Sequence, residues 1–168
     1  VTDTEEELDA LAHLVGENGV SMIQWRNLNI DPEWYFKLMS GSEGQEKKLL
    51  VVWGPLTFEW SSTQAENDLE WLITSKKSQY SRTGKEQAPL FDVANTSLLF
   101  DLLDTQDSCC RGVLSVLRCG EKNVAAHFGL QCGKLLHVWF PVYEPQFATF
   151  SPGRILFKHM FNAGAEQG

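Results

Sequence analysis

Apolar positions change their period along this chain, and the change divides it. Up to about Leu103 they recur mostly at helical spacing, from Gly112 to Pro141 they alternate as in strands, and after Arg154 the helical spacing returns. Residues 2–15 read as a helix: Thr4 and Glu7 form a capping box, and Leu8, Leu11, Ala12 and Val15 make one apolar stripe before Gly16. Val20–Trp25 is apolar enough for a buried strand, and Asp31-Pro32 opens a short helix through Leu38. Ser40–Lys48 reads as a polar loop, followed by two strands, Leu49–Trp53 and Leu56–Trp60, parted by Gly54-Pro55. Thr63 and Glu66 predict the start of a helix whose Ala65, Leu69, Leu72, Ile73 and Lys76 share a face. Ser81–Pro89 then reads as a loop, and Asn95–Leu103 as a short helix turning Leu98, Leu99, Leu102 and Leu103 inward.

In the strand-like region, Gly120–Asn123 and Cys132–Lys134 read as hairpin connections, with glycine supplying a positive φ. The closing helix, Arg154–Gln167, carries Leu156, Phe157, Met160, Phe161 and Gly164 along one side. An antiparallel meander therefore feeds a helix N-terminus at Ser151-Pro152-Gly153-Arg154. The first turn of a helix leaves amide hydrogens unpaired at the positive end of the dipole, which suits an anion such as phosphate. Ser151 is placed to cap, Pro152 pre-sets the backbone, Gly153 admits a close ligand and Arg154 adds a charge. Ser-Pro is also an ordinary helix opener, so this spacing alone does not specify a ligand.

Composition narrows the function classes. The chain has 168 residues, a net charge of −8 and a pI near 4.9, and this acidic balance argues against a nucleic-acid surface. Lys76, Lys77, Arg82 and Lys85 form a local basic group, for which solvation is the ordinary reason. No apolar run approaches the roughly 20 residues that span a bilayer, and no signal-peptide pattern opens the chain, so no membrane insertion and a cytoplasmic location are expected. Both ends are expected to lie inside a longer polypeptide. Cys109, Cys110, Cys119 and Cys132 have no C-x-x-C spacing; Cys119 and Cys132 flank a hairpin, yet free thiols are the favoured expectation.

His127 and His137 fall on neighbouring strands. Alternation puts Ala125, His127 and Gly129 on one face and His137 with Trp139 on one face of the next strand. If those faces coincide, the two histidines make a titratable pair beside small residues; the bland alternative is a pair of structural histidines. Two histidines without a third ligand make a poor zinc site, so no metal is expected. Tyr143-Glu144 lies where a general acid or base would be useful, although packing and solvation explain both residues too. No G-x-S-x-G, Walker A, H-E-x-x-H or G-x-G-x-x-G pattern occurs. The six tryptophans are scattered, as core residues are.

Four segments carry a resemblance: Gly112-Val-Leu-Ser-Val-Leu-Arg118, Val124-Ala-Ala-His-Phe-Gly-Leu130, Leu136-His-Val-Trp-Phe-Pro-Val-Tyr143 and Phe150-Ser-Pro-Gly153. They resemble the second acetyltransferase-like domain of the CelD-like family of the GNAT superfamily. That family is associated with bacterial cellulose and exopolysaccharide biosynthesis and is related to the Fem-type peptidyltransferases. Trp71-Leu-Ile, Lys76-Lys77, Gln79-Tyr80 and Arg82-Thr83-Gly84 are similar to the front of that domain. The resemblance covers residues 55–168 and leaves 1–54 as a segment that could be the remnant of a preceding GNAT-like domain. It implies an α/β fold: a mixed, mostly antiparallel sheet flanked by helices on both faces.

It further implies an N-acyltransferase taking acetyl-CoA or another acyl-CoA, with a small-molecule amine or sugar-linked acceptor and exopolysaccharide-synthesis partners. The carrier's pantetheine arm would pair with the strand edge at Val138, Trp139 and Phe140. Its pyrophosphate would rest at Phe150, Ser151, Gly153 and Arg154. A strand amide would polarise the thioester carbonyl, and His127, His137 and Tyr143 are the candidates for substrate contact or proton transfer. Two departures stand out: the phosphate cradle is reduced to one glycine after Ser-Pro, and the chain ends before the family's expected fifth strand. The alternatives are Fem-like aminoacyl transfer and a non-catalytic GNAT-like scaffold.

Overall fold

Among the described residues, every sheet strand runs antiparallel to its neighbour. The structure, a computed structural model, describes residues 23–25, 40–84, 93–105, 110–133 and 135–167. The elements are β1 (Ile23–Trp25), α1 (Ser42–Trp53), β2 (Leu56–Glu59), α2 (Ala65–Arg82), α3 (Val93–Asp104), β3 (Arg111–Cys119), β4 (Lys122–Cys132), β5 (Leu135–Tyr143), a 3₁₀ turn (Pro145–Phe150) and α4 (Pro152–Gln167). The sheet order is β1-β5-β4-β3-β2. The three long strands are the meander that alternation predicts, and Gly120 and Gly133, with φ of 59° and 60°, turn its two hairpins.

Helices cover both faces, so the long strands bury residues on both sides. On one face, Leu69, Leu72 and Ile73 of α2 and Leu99 of α3 pack on Leu114, Val116, Ala126, Phe128 and Val142. On the other, Leu49 of α1, Phe147, and Ile155, Leu156 and Met160 of α4 pack on Leu117, Val124 and Ala125. Each of the larger side chains among these contributes about 1.5–3 kcal/mol by leaving water. Gly112 lets α3 lie close to β3, since a Cβ there would sit 2.9 Å from the Leu102 carbonyl carbon.

Two expectations fail locally. Ser42–Trp53 is one helix, not a polar loop followed by a strand. The run Leu49-Leu-Val-Val-Trp53 has no period that separates strand from helix, and tertiary contacts decide. Glu46 accepts from Lys158 Nζ (2.8 Å) and pairs with His159 Nε2 (2.9 Å), tying α1 to α4. Helix α2 begins at Ala65 and is not capped by Thr63: the Thr63 amide and hydroxyl both donate to the Glu59 carboxylate, at 2.8 and 3.0 Å. The helices expected at 2–15 and 32–38 lie outside the described residues, as does most of the 81–89 loop.

The cysteines also differ from expectation. Cys110 and Cys132 are bridged across the β3–β4 pair, with Cα atoms 4.1 Å apart, while Cys119 is a buried free thiol. Cys132 therefore pairs with Cys110 and not with Cys119, which instead donates to the Trp53 carbonyl at 2.9 Å. The antiparallel register explains the pairing, since Arg111 faces Gln131 and sets the next two residues opposite each other.

Candidate functional site

Strand β5 departs from regular pairing where a site would need it to. Gly129 faces Val138 and Phe128 faces Phe140, so Trp139 is an extra residue on β5. A bulge of this kind interrupts the ladder and re-aims backbone groups. Gly129 makes room for it: a Cβ there would collide with the His137 carbonyl oxygen and lie 2.8 Å from the His127 ring. On the outer side, β1 pairs with β5 only at Leu136, His137 and Val138. Among the described residues, no strand covers that edge from Trp139 to Tyr143.

The bulge also separates the two histidines. His127 pairs with Pro141 and His137 with Leu130. Without an inserted residue, positions 137 and 141 would share a face; Trp139 flips the parity, so His127 and His137 lie on opposite faces. The titratable pair that simple alternation allows is not formed. His127 is fully buried on the α4 side, and neither ring nitrogen has a partner. Burial alone pushes its imidazole down to about 3, so it is neutral at ordinary pH. His137 is half-buried, and Tyr143 is exposed at the end of β5.

Beyond β5, the 3₁₀ turn carries the chain to Ser151, which adopts a left-handed conformation (φ 52°, ψ 53°). It is the one non-glycine residue with positive φ among those described, and it directly precedes a proline, where extended backbone is usual. Its carbonyl accepts from both the Arg154 amide (3.0 Å) and the Ile155 amide (3.3 Å). Pro152 has no amide hydrogen, so Gly153 holds the first-turn donor outside that arrangement. Nothing lies within 4 Å of where a Gly153 Cβ would be, so the space beside it is open. Arg154 is exposed and anchors the turn, with Nη2 donating to the Ser40 carbonyl at 3.1 Å. The helix start thus offers one open amide and a neighbouring guanidinium where the sequence suggests several bare amides. Phe150 is half-buried against the α4-side core.

On the opposite face, α2 braces the sheet through charged groups; the sequence singles out Lys76 among them but not the Arg118–Asp68 pair. Arg118 of β3 is buried and forms a two-pronged pair with Asp68 of α2, one prong at 2.9 Å, and also reaches Glu59 (3.2 Å) and Asn123. Burial works to raise the Asp68 carboxyl, but hydrogen bonds from Arg118, Ser62 and Asn123 outweigh it and hold the group below its ordinary value. Nearer the bulge, Lys76 is buried and donates to the Pro141 carbonyl at 2.8 Å, with its ammonium 5.1 Å from the Tyr80 ring centre. Helical spacing puts Lys76 on the apolar face of its helix but gives no sign of its backbone partner, and burial replaces the solvation expected of its basic group.

Residues 42–168 match the family model described as an acetyltransferase (GNAT) domain. Comparison with curated proteins and with solved structures gives no match. Strand β1 lies before the matched region and still joins its sheet.

Proposed function

The chain belongs to the acetyltransferase (GNAT) domain family, and from that premise we propose that it is an acyl-CoA-dependent N-acyltransferase acting on an amine. The observation that carries the reading is the β5 edge beyond Val138, which no strand covers among the described residues: the bulge follows at Trp139, and the chain then runs into the left-handed turn at Ser151. An acyl-CoA would lay its pantetheine amides against the edge from Trp139 onward, as an added strand does. Its pyrophosphate would meet the Gly153 amide and the Arg154 guanidinium, where dipole and charge both favour an anion. A backbone amide freed by the bulge would donate to the thioester carbonyl and stabilise the oxyanion formed on attack.

The acceptor amine would attack the carbonyl carbon, the C–S bond would break, and the amine proton would pass to a base. Tyr143 and His137 are the reachable candidates for that proton. His127 is enclosed and neutral, and we assign it a packing role under the bulge. Tyr143 is exposed at the end of β5, which suits a small or sugar-linked acceptor, and exopolysaccharide biosynthesis in the cytoplasm is the setting we propose. No helix among the described residues is long and apolar enough to cross a membrane.

Calorimetry tests the cofactor claim. Acetyl-CoA titrated into the full chain is expected to bind in the micromolar to submillimolar range, and absence of heat at millimolar ligand would remove the proposal. The separation of His127 from His137 favours a second reading, a GNAT-like module that binds CoA without turning it over. Binding without acyl transfer to any of a panel of amines would select it.

A further inference from the structure

The last turn of α1 stands out of the fold. Leu50, Val51 and Val52 are 49%, 81% and 63% exposed, and Trp53 beside them is 36% exposed. At about 100° per residue, these four consecutive positions sweep most of the helix circumference, so the turn is a convex apolar knob and not one face of a groove. A patch of this kind marks an interaction surface.

Its neighbours indicate the partner. Lys47 and Lys48 are exposed one turn earlier on the same helix, where spacing sets them beside Leu50, Val51 and Val52. Lys122, from the β3–β4 hairpin, holds its ammonium 4.9 Å from the centre of the Trp53 ring. Two exposed acids, Glu43 and Glu121, lie near the two ends of this group. Three lysines against two acids give the exposed aliphatic-and-tryptophan knob a positive balance on a chain of net charge −8. A rigid protein partner would need a matching cavity for a convex knob, whereas the interface of a bilayer takes one of any shape. Aliphatic side chains enter the acyl boundary, tryptophan sits at headgroup level and lysines meet anionic headgroups.

We propose that this corner adsorbs to anionic lipid surfaces, with the last turn of α1 as the inserting element. It does not depend on the acyltransferase reading. The test is co-sedimentation of the full chain with vesicles of phosphatidylcholine alone and of phosphatidylcholine mixed with phosphatidylglycerol. Binding is expected on the mixed vesicles, at least about tenfold weaker without the anionic lipid. The pair Val51→Glu and Val52→Glu should weaken it at least about tenfold, and Lys47→Gln with Lys48→Gln by roughly fivefold per lysine. Thermal melts of each variant check folding, with Val51→Ser and Val52→Ser as the milder pair if the glutamates unfold the chain. No co-sedimentation, or equal binding by wild type and the glutamate pair, would overturn the proposal. So would a concentration-dependent dimer that the glutamate pair dissociates, which would make a second copy of the chain the occupant.

Discussion

His127 sits with neither ring nitrogen paired, so its proton has no favourable place inside the fold. Its folded pKa of about 3 lies below the ordinary 6.5. The stability it contributes is therefore complete above about pH 6.5 and is lost as pH falls toward 3, at up to about 1.4 kcal/mol per pH unit. Glu46, Glu59 and Asp68 are also held low, but their contribution is lost only as pH falls through and below the ordinary carboxylate range. Between pH 6 and pH 5 chemical denaturation should show a slope dominated by His127, and His127→Gln should flatten most of it; an unchanged slope would reject this origin. Alternation in the sequence places His127 on one face with Ala125 and Gly129, but not apart from His137, because that depends on one extra residue, Trp139, that no spacing rule announces. Ser151 is the converse case: the sequence marks a helix start there, yet its left-handed backbone comes from joining a 3₁₀ turn to α4.

At the scale of elements, the β4–β5 pair and the α2 brace carry the most consequence. Gly129→Ala would press a methyl into the His137 carbonyl and force β5 to shift. We predict a loss of about 1–3 kcal/mol in stability, measured by urea unfolding, together with weaker acetyl-CoA binding because the bulge moves. A variant as stable and as tight as wild type would show that the bulge does not depend on this glycine. Asp68→Ala would strand Arg118 in a buried site and should cost about 3–5 kcal/mol; a loss below about 1 kcal/mol would mean that Glu59 and Asn123 suffice as partners. The meander and the helices α2, α3 and α4 were legible because their periods are long and clean. Helix α1 was not, because five consecutive apolar residues fit either period and the deciding contacts, Glu46 with Lys158 and His159, are more than a hundred residues away in sequence.

The described residues form an antiparallel sheet between two helical layers, closed at one corner by the Cys110–Cys132 bridge. Mass spectrometry after alkylation without reductant should leave Cys110 and Cys132 unlabelled in the oxidised protein and label both after dithiothreitol. Labelling before reduction would mean the pair is open as isolated. Adjacent cysteines at 109 and 110 hid this pairing from the sequence, since only the strand register decides which of the two meets Cys132.

The central claim is that the start of α4 receives the phosphates of an acyl carrier. Gly153→Asp tests it in one calorimetric titration with acetyl-CoA, because the open space at Gly153 admits the side chain and a carboxylate in the first turn favours the helix itself. The account predicts that the variant melts no lower than wild type and binds at least about tenfold more weakly. Equal binding by the two proteins would contradict it.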